Sequence, residues 1–378
     1  MNKLIIFIFI LSSQAYVNIF SDDCSLFRKY PILKNNLVYK SFCDLPTPIT
    51  KLNNFGNMLC NNNIYLKRDD LTGAKLNNKL YGGNKARKLE WLLADALAKN
   101  FTTIMTYGCV GSNHALATTV YSHLLGFKTI LMLKPQPNSY VVRQNLIMDF
   151  FTNAEMKFYE NNQKRDEARD EILKENSDIY FIPTGGSNKI GAIGFVNAAF
   201  ELAEQIKEGV IAIPDYIYLP IGSSGTTAGL LLGLALQNLP TKIVAVAVES
   251  GSKKQFKNSV KKLFVETDEL LNSLDNSVEL LEFPDDKLII NNTIATSYGK
   301  WDEVDFEAIN IFKELEDITI EGTYSSKPII ALINDCKNNI ITNKTVLIWE
   351  TYCGLDFSEE IGLFDFRKLP EFCHQYFN

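Results

Sequence analysis

The chain has 378 residues, enough to bury a large core in two domains or one large one. Hydrophobic residues make up 46% and charged residues 22%, the balance of a globular protein rather than a disordered or fibrous one. A formal net charge of −6, with no basic run interleaved with aromatics, excludes a nucleic-acid binder and argues against an anionic-membrane partner.

At the N-terminus, Met1-Asn2-Lys3 precedes an unbroken apolar run from Leu4 to Leu11. Ser13-Gln14-Ala15 then places small residues where a signal peptidase reads. The run is too short to cross a bilayer as a helix. The layout is that of a secretory signal peptide over residues 1–15, with the mature chain starting near Tyr16. The competing reading is a buried N-terminal strand or helix. With the signal, the protein is exported to a periplasm or the exterior and has no membrane attachment once processed; without it, the protein is cytoplasmic. The cysteines Cys24, Cys43, Cys60, Cys109, Cys336, Cys353 and Cys373 form no CxxC pair and are too scattered for a zinc site. The histidines are His114, His123 and His374, so no His-rich metal centre is available. Export would allow one disulfide among Cys24, Cys43 and Cys60, but free buried thiols are the plainer reading.

The middle of the chain alternates helix and strand patterns. A helix is predicted over 85–99, with apolar Leu89, Leu92, Leu93, Ala96 and Leu97 on one side. A strand at 102–107 runs into Gly108-Cys109-Val110-Gly111, and a helix follows from Asn113 to Leu125. Strands are predicted at 128–133 and 155–159, then a charged helix over 165–175. The strand 179–182 ends in Pro183-Thr184-Gly185-Gly186-Ser187, ahead of a helix over 191–207. The strand 216–220 enters another glycine-rich turn before an apolar helix at 227–237, and a strand covers 243–248. Alternation of this kind requires crossover connections, so the fold class is α/β with parallel sheets flanked by helices. Ligands bind such sheets at loops beyond the strands' carboxyl ends, and three of these loops are rich in Gly, Ser and Asn.

Three segments carry chemistry. In Gly82-Gly83-Asn84-Lys85-Ala86-Arg87-Lys88-Leu89 a lysine sits just inside a helix start, where the dipole disfavours a cation. That position suits a lysine converted to an imine or one that meets a phosphate; a surface lysine after a glycine turn is the alternative. In Gly222-Ser223-Ser224-Gly225-Thr226-Thr227, backbone amides and hydroxyls at a strand-to-helix turn can cradle a phosphate. It is neither a Walker loop nor GxGxxG, and an ordinary tight turn is the alternative. In Gly111-Ser112-Asn113-His114, Ser112 and Asn113 either cap a helix or face a ligand.

Taken in order, GGNKARKLE, GSNH, PTGGSNKIGAIGF and GSSGTTAGL resemble the 1-aminocyclopropane-1-carboxylate deaminase and D-cysteine desulfhydrase family. The resemblance runs from about Val38 to the C-terminus and loosens after Ala247. It implies the two-domain, tryptophan-synthase-β-like fold of pyridoxal 5′-phosphate (PLP) enzymes. A larger PLP-binding domain would comprise 38–97 and 205–378, and a smaller one 98–204. The resemblance also implies a small amino-acid substrate and a homodimer. It assigns Lys85 as the Schiff-base lysine, Lys88 as a phosphate contact, and Asn113 as partner of the cofactor's 3′ oxygen. Ser112 becomes an active-site serine near the substrate carboxylate, and Gly222, Ser223, Ser224, Gly225, Thr226 and Thr227 become the phosphate cup. Tyr298 and Tyr324 line the pocket, and Ser325 faces the pyridine nitrogen. No metal is implied.

Ser325 and Thr351 bear on selectivity. In the family, ring-opening deaminases tend to carry Glu and Leu there, and desulfhydrases small hydroxyl residues. The expectation is therefore α,β-elimination from D-cysteine or a related small D-amino acid, giving pyruvate, ammonia and sulfide. The alternatives are cyclopropane ring opening and, in a different class, an exported PLP binder with little turnover. The last rests on a departure from the family pattern: Glu350-Thr351-Tyr352-Cys353 stands where His, the selectivity residue and a Gly pair are usual, and Tyr352 and Cys353 would crowd the ring. The stretch 251–296 also matches poorly.

Overall fold

The computed structural model describes residues 23–59, 62–73, 81–353 and 357–377, with 359 and 360 described for the backbone alone. The expected signal peptide and Cys60 lie outside the described residues. Among these residues, no helix is long and apolar enough to cross a membrane. Cys24 and Cys43 are buried free thiols, so no disulfide joins them.

Ten strands run in chain order: β1 (Ile49–Lys51), β2 (Asn63–Arg68), β3 (Thr103–Cys109), β4 (Lys128–Lys134), β5 (Glu155–Phe158), β6 (Ile179–Ile182), β7 (Tyr216–Ile221), β8 (Lys242–Ala247), β9 (Leu288–Asn291) and β10 (Thr345–Glu350). They form a six-stranded sheet in the order β1-β2-β10-β7-β8-β9 and a four-stranded sheet in the order β5-β4-β3-β6. Every pairing is parallel except β1 with β2. The α/β class expected from the alternating pattern is the class observed.

Parallel strands covered on both faces read as continuous apolar runs, and β7, β8 and β10 do. Helices Lys189–Lys207, Gly225–Leu236 and Lys253–Leu274 cover one face of the larger sheet in a single core with Ile217, Leu219, Ala245 and Leu347. Helices Glu303–Glu316 and Ser326–Lys337 cover the other, with Tyr218, Val244 and Ile348. Pro220 is tolerated in a central strand because the ladder between β7 and β10 stops at Tyr218, so the missing N–H costs no bond on that side.

The predicted elements between 85 and 248 are present with ends shifted by no more than three residues, and a further helix, Tyr140–Phe151, stands where none is predicted. The helix Asn84–Ala98 buries Leu89, Leu92, Leu93 and Ala96 as the periodicity requires, while Leu97 remains exposed. Ser112 caps Asn113–Leu124 by accepting from Ala115 N, and Asn188 caps Lys189–Lys207 by accepting from Ile190 N and Gly191 N. These caps set where the two helices begin, and so how far the loops after β3 and β6 reach.

Candidate active site

The loops after β3, β6 and β7 meet over a cavity of about 510 Å³, the size of a small-molecule site. Of the residues singled out in the sequence, Lys85, Ser112, Tyr298, Tyr324, Gly222, Ser223, Ser224, Thr226 and Thr227 line it. Lys88, Asn113, Gly225, Ser325 and Thr351 are not among the lining residues.

Two glycines allow the walls to close. Gly83 has φ +95°, and a Cβ there would come within 2.8 Å of Thr351 O. The next residue, Asn84, donates its N–H to that same carbonyl at 3.1 Å, so the end of β10 docks against the helix that carries Lys85. Gly185 has φ +67°, and a Cβ there would overlap Ser223 Oγ.

Lys85 Nζ donates to Asn84 Oδ1 at 2.9 Å and lies 5.4 Å from the centre of the Tyr324 ring. Burial lowers its pKa to about 8, against the opposing pull of Glu321. About a tenth of the amine is therefore neutral near pH 7, far more than for an exposed lysine, which favours its use as a nucleophile. Glu321 accepts from Thr323 N at 2.7 Å, Tyr324 N at 2.6 Å and Ser325 N at 3.2 Å, which fixes the loop carrying Tyr324. Tyr324 Oη donates to Tyr298 Oη at 3.0 Å. Burial raises both phenols above their ordinary range, so both hold their protons. Ser112 Oγ accepts from Ala115 N at 3.1 Å, and its own proton remains available to a ligand.

The turn after β7 tests the fit of a phosphate. Ser224 adopts the left-handed conformation, φ +68°, at the N-terminus of Gly225–Leu236. Strain of this kind in a non-glycine residue gathers at binding sites. Ser224 Oγ and Thr227 Oγ1 are buried and find no hydrogen-bond partner among the described residues. Lys88 Nζ donates to Gly185 O at 3.0 Å and to Ser187 Oγ at 3.1 Å, and Ser187 Oγ lies 2.8 Å from Ser223 Oγ. Burial, then Lys85, pushes the Lys88 pKa well down. An anion at the helix end would satisfy both orphaned hydroxyls and reverse that push. The donor set therefore fits a phosphate monoester.

Asn113 keeps its amide oxygen turned to Tyr81 Oη at 2.9 Å and Asn145 Nδ2 at 3.2 Å, which leaves its NH₂ for another acceptor. Tyr352 and Cys353 are buried but do not line the cavity; Cys353 Sγ accepts from Gly82 N at 3.2 Å.

Ser325 has a neighbour that local sequence does not show. Its Oγ donates to Glu350 Oε1 at 2.5 Å, and both side chains are buried. A buried carboxyl group therefore stands one hydrogen bond behind the serine. Thr351 is buried with Oγ1 unpartnered among the described residues.

Residues that the sequence did not mark also enter the site. His114 lines the cavity, and its Nε2 lies 2.9 Å from Thr106 Oγ1. The threonine proton goes to Ile182 O at 2.9 Å, so Nε2 is the donor to Thr106. Burial, then Lys85 and Lys88, lowers the His114 pKa well below its usual range, which keeps the ring neutral. Lys134, Glu249 and Arg165 also line the cavity, with Arg165 stacked 3.6 Å over the Tyr107 ring. Ser187 lies in the PTGGS loop, within the PTGGSNKIGAIGF run that carries part of the family resemblance.

Residues 41–351 match the family model described as "Pyridoxal-phosphate dependent enzyme". A protein of Pyrococcus furiosus named "Putative 1-aminocyclopropane-1-carboxylate deaminase" is 31% identical over 310 residues, covering 80% of this chain and 88% of that protein. One of Thermotoga maritima with the same name is 34% identical over 301 residues, covering 76% and 88%. A crystal structure of an "ACC deaminase homologue" superposes with a TM-score of 0.73 at 28% identity, covering 88% of this chain and 97% of that one. The cofactor of such enzymes, PLP, is thereby the cofactor here, in keeping with the phosphate fit of the turn after β7. The chain belongs to the pyridoxal-phosphate dependent enzyme family.

Proposed function

We propose that this enzyme is a lyase that breaks a bond at the β-carbon of a small amino acid, with D-cysteine or a close analogue as substrate and pyruvate, ammonia and sulfide as products. The observation that carries the reading is a single wall of the cavity. There the Lys85 amine, its pKa lowered by burial, stands against the Tyr298–Tyr324 pair, beside a turn with two orphaned hydroxyls. When bound, PLP supplies an electron sink conjugated to the substrate α-carbon.

The chain's own residues do the rest. Lys85 Nζ would hold the cofactor and, when free of it, would be the amine that takes the substrate's α-proton. Ser112 Oγ and Asn113 Nδ2 would orient polar groups of substrate and cofactor. The turn Gly222–Thr227 would hold the phosphate, with Lys88 adding charge behind it. Tyr298 Oη, fed by Tyr324, would move a proton to or from the departing end. Ser325 would be the partner of the ring nitrogen.

Thiolate is a good leaving group and needs only modest ring activation, which a serine with Thr351 beside it can support. Cyclopropane ring opening is the second reading. The names of the relatives and the carboxylate behind Ser325 favour it. The two readings are separated by kcat/KM for D-cysteine and for 1-aminocyclopropane-1-carboxylate on one preparation. We expect D-cysteine to lead by about tenfold, equivalent to ~1.4 kcal/mol in the barrier. The Ser325→Glu, Thr351→Leu double mutant should narrow or invert that ratio. A parent enzyme that prefers the cyclopropane acid makes the second reading correct.

The phosphate position has its own check. Thr227→Val removes one orphaned hydroxyl at nearly constant volume and should weaken PLP binding by about tenfold, the worth of one hydrogen bond to a charged group. An absorbance titration measures it, and an unchanged Kd places the phosphate elsewhere.

A further inference from the structure

Glu350 ends β10 in register with Arg68 of β2 and is buried. Its Oε1 collects three donors: Ser325 Oγ at 2.5 Å, Thr351 N at 2.9 Å and Tyr352 N at 2.7 Å. Its Oε2 has no partner among the described residues. An oxygen that gathers three donors is built to carry negative charge. The groups around it divide. Asp70 and Glu321 oppose that charge, whereas Ser325 and the Tyr352 amide support it. Arg68 is spent on Asp70, with Nη2 to Oδ2 at 2.8 Å. Burial together with the two carboxylates raises the Glu350 pKa to about 8.

A serine hydroxyl has one proton to give. Ser325 gives it to Glu350, so on its remaining side the serine can only accept. Whatever meets that side must bring a proton.

We propose that Glu350 is a positioning residue that fixes Ser325 as a hydrogen-bond acceptor toward the cofactor's ring nitrogen, so that its carboxyl group, when ionised, favours the protonated nitrogen through the serine. The inference rests on the reading of Ser325 as partner of that nitrogen. It alters what the serine implies: the hydroxyl transmits a carboxylate instead of standing in for a missing one. Raising pH ionises Glu350 further and strengthens the hold on the nitrogen's proton. Lowering pH neutralises Glu350 and weakens it.

The test is the nitrogen-15 resonance of ring-labelled PLP bound to the full chain, followed against pH. In the parent we expect the shift of a protonated pyridine near pH 8. Glu350→Gln keeps the shape and removes the charge, and should move the resonance to that of a neutral pyridine. Ser325→Ala should do the same, and the double mutant should add nothing beyond either single change, because the two act as one unit. Glu350→Asp should restore part of the protonated signal. If Glu350→Gln fails to fold, Glu350→Asp against the parent still decides: an unchanged resonance across the pH series overturns the inference. Equal shifts in parent and variants overturn the inference while leaving PLP binding intact. A parent that holds no cofactor on Lys85 after borohydride reduction overturns the underlying reading, and the inference with it.

Discussion

Lys85→Ala is expected to lose every trace of borohydride-reducible cofactor and to lower turnover by about 10²- to 10⁴-fold, the range seen when a positioned acid or base is removed. In the parent, reduction should fix one pyridoxyl phosphate on the peptide containing Lys85, read by mass spectrometry. The variant should still bind PLP weakly, because Ser224 Oγ, Thr227 Oγ1 and the helix end at Gly225 remain to take the phosphate. A neighbouring lysine makes the test discriminating. Lys88 is one turn away on the same helix, but its Nζ is turned to Gly185 O and Ser187 Oγ, and it does not line the cavity. Lys88→Met should therefore keep the link and lose affinity. A link found on Lys88, or a reducible band surviving in Lys85→Ala, would refute the assignment. The pH dependence follows from the same burial. With the Lys85 pKa lowered to about 8, attachment of PLP to apoenzyme should quicken as pH rises through that value and level off above it. An exposed lysine would still be gaining rate two units higher.

The second large effect is expected in stability. Behind the helix that carries Lys85 lies a buried ionic network. Arg87 bridges Asp69 at 2.7 Å and Glu201 at 2.9 Å, and Lys67 bridges Glu201 at 2.5 Å. Trp349 Nε1 donates to Asp69 at 2.7 Å, and Thr47 N donates to Glu201 at 3.0 Å. Two cations and two carboxylates balance, and together they join β2, β10 and the helices Asn84–Ala98 and Lys189–Lys207. Removing one member leaves an unpaired buried charge, so Glu201→Ala should cost about 3–5 kcal/mol, measured by urea unfolding.

Burial alone would raise the Glu201 pKa, but Arg87 and Lys67 outweigh it and hold the carboxyl at about 2 against a usual 4.5. A depressed native pKa stabilises the fold above the unfolded value and loses that contribution as pH falls through the native one. The parent should therefore lose up to about 3 kcal/mol between pH 4.5 and 2 on account of this residue. Glu201→Gln should lack that part of the slope. A Glu201→Ala protein as stable as the parent would mean that the network relaxes without cost.

The fold was legible in the sequence where local pattern and tertiary role agree. Between 85 and 248, buried parallel strands must be apolar and their covering helices must repeat near 3.6 residues, so the alternation shows directly. The glycine-rich loops after β3, β6 and β7 were legible as ligand loops for a similar reason, since a tight strand-to-helix turn with hydroxyls has few other uses. Beyond residue 250 the signal weakened. Lys253–Leu274 carries a strong apolar stripe, but its many charges mask it in a plain reading, and β10 gives no sign of which strand it joins.

Glu350 was not legible as a functional group because its meaning lies in a bond to Ser325, 25 positions away along the chain. His114 and Arg165 were likewise hidden, since no local spacing tells that either faces the cavity. Tyr352 and Cys353, which depart from the family pattern, are buried beside Tyr140 and Gly82.

The cavity is lined from two different sheets, by loops after β3 and β6 on one side and after β7 on the other. A molecule seated there is a rivet as well as a reagent. On the proposed reading its phosphate would rest against the larger sheet's helix end, while Ser112, on the smaller sheet's first crossover, would face its other groups. Cofactor loading and cohesion of the two sheets are then one equilibrium. Free energy of binding is shared with resistance to prying the sheets apart, in proportion to RT ln(1 + [L]/Kd). Apoenzyme would be the more easily cut by proteases at the connections between sheets, and the cell's PLP supply would set how long the protein survives as well as how fast it works.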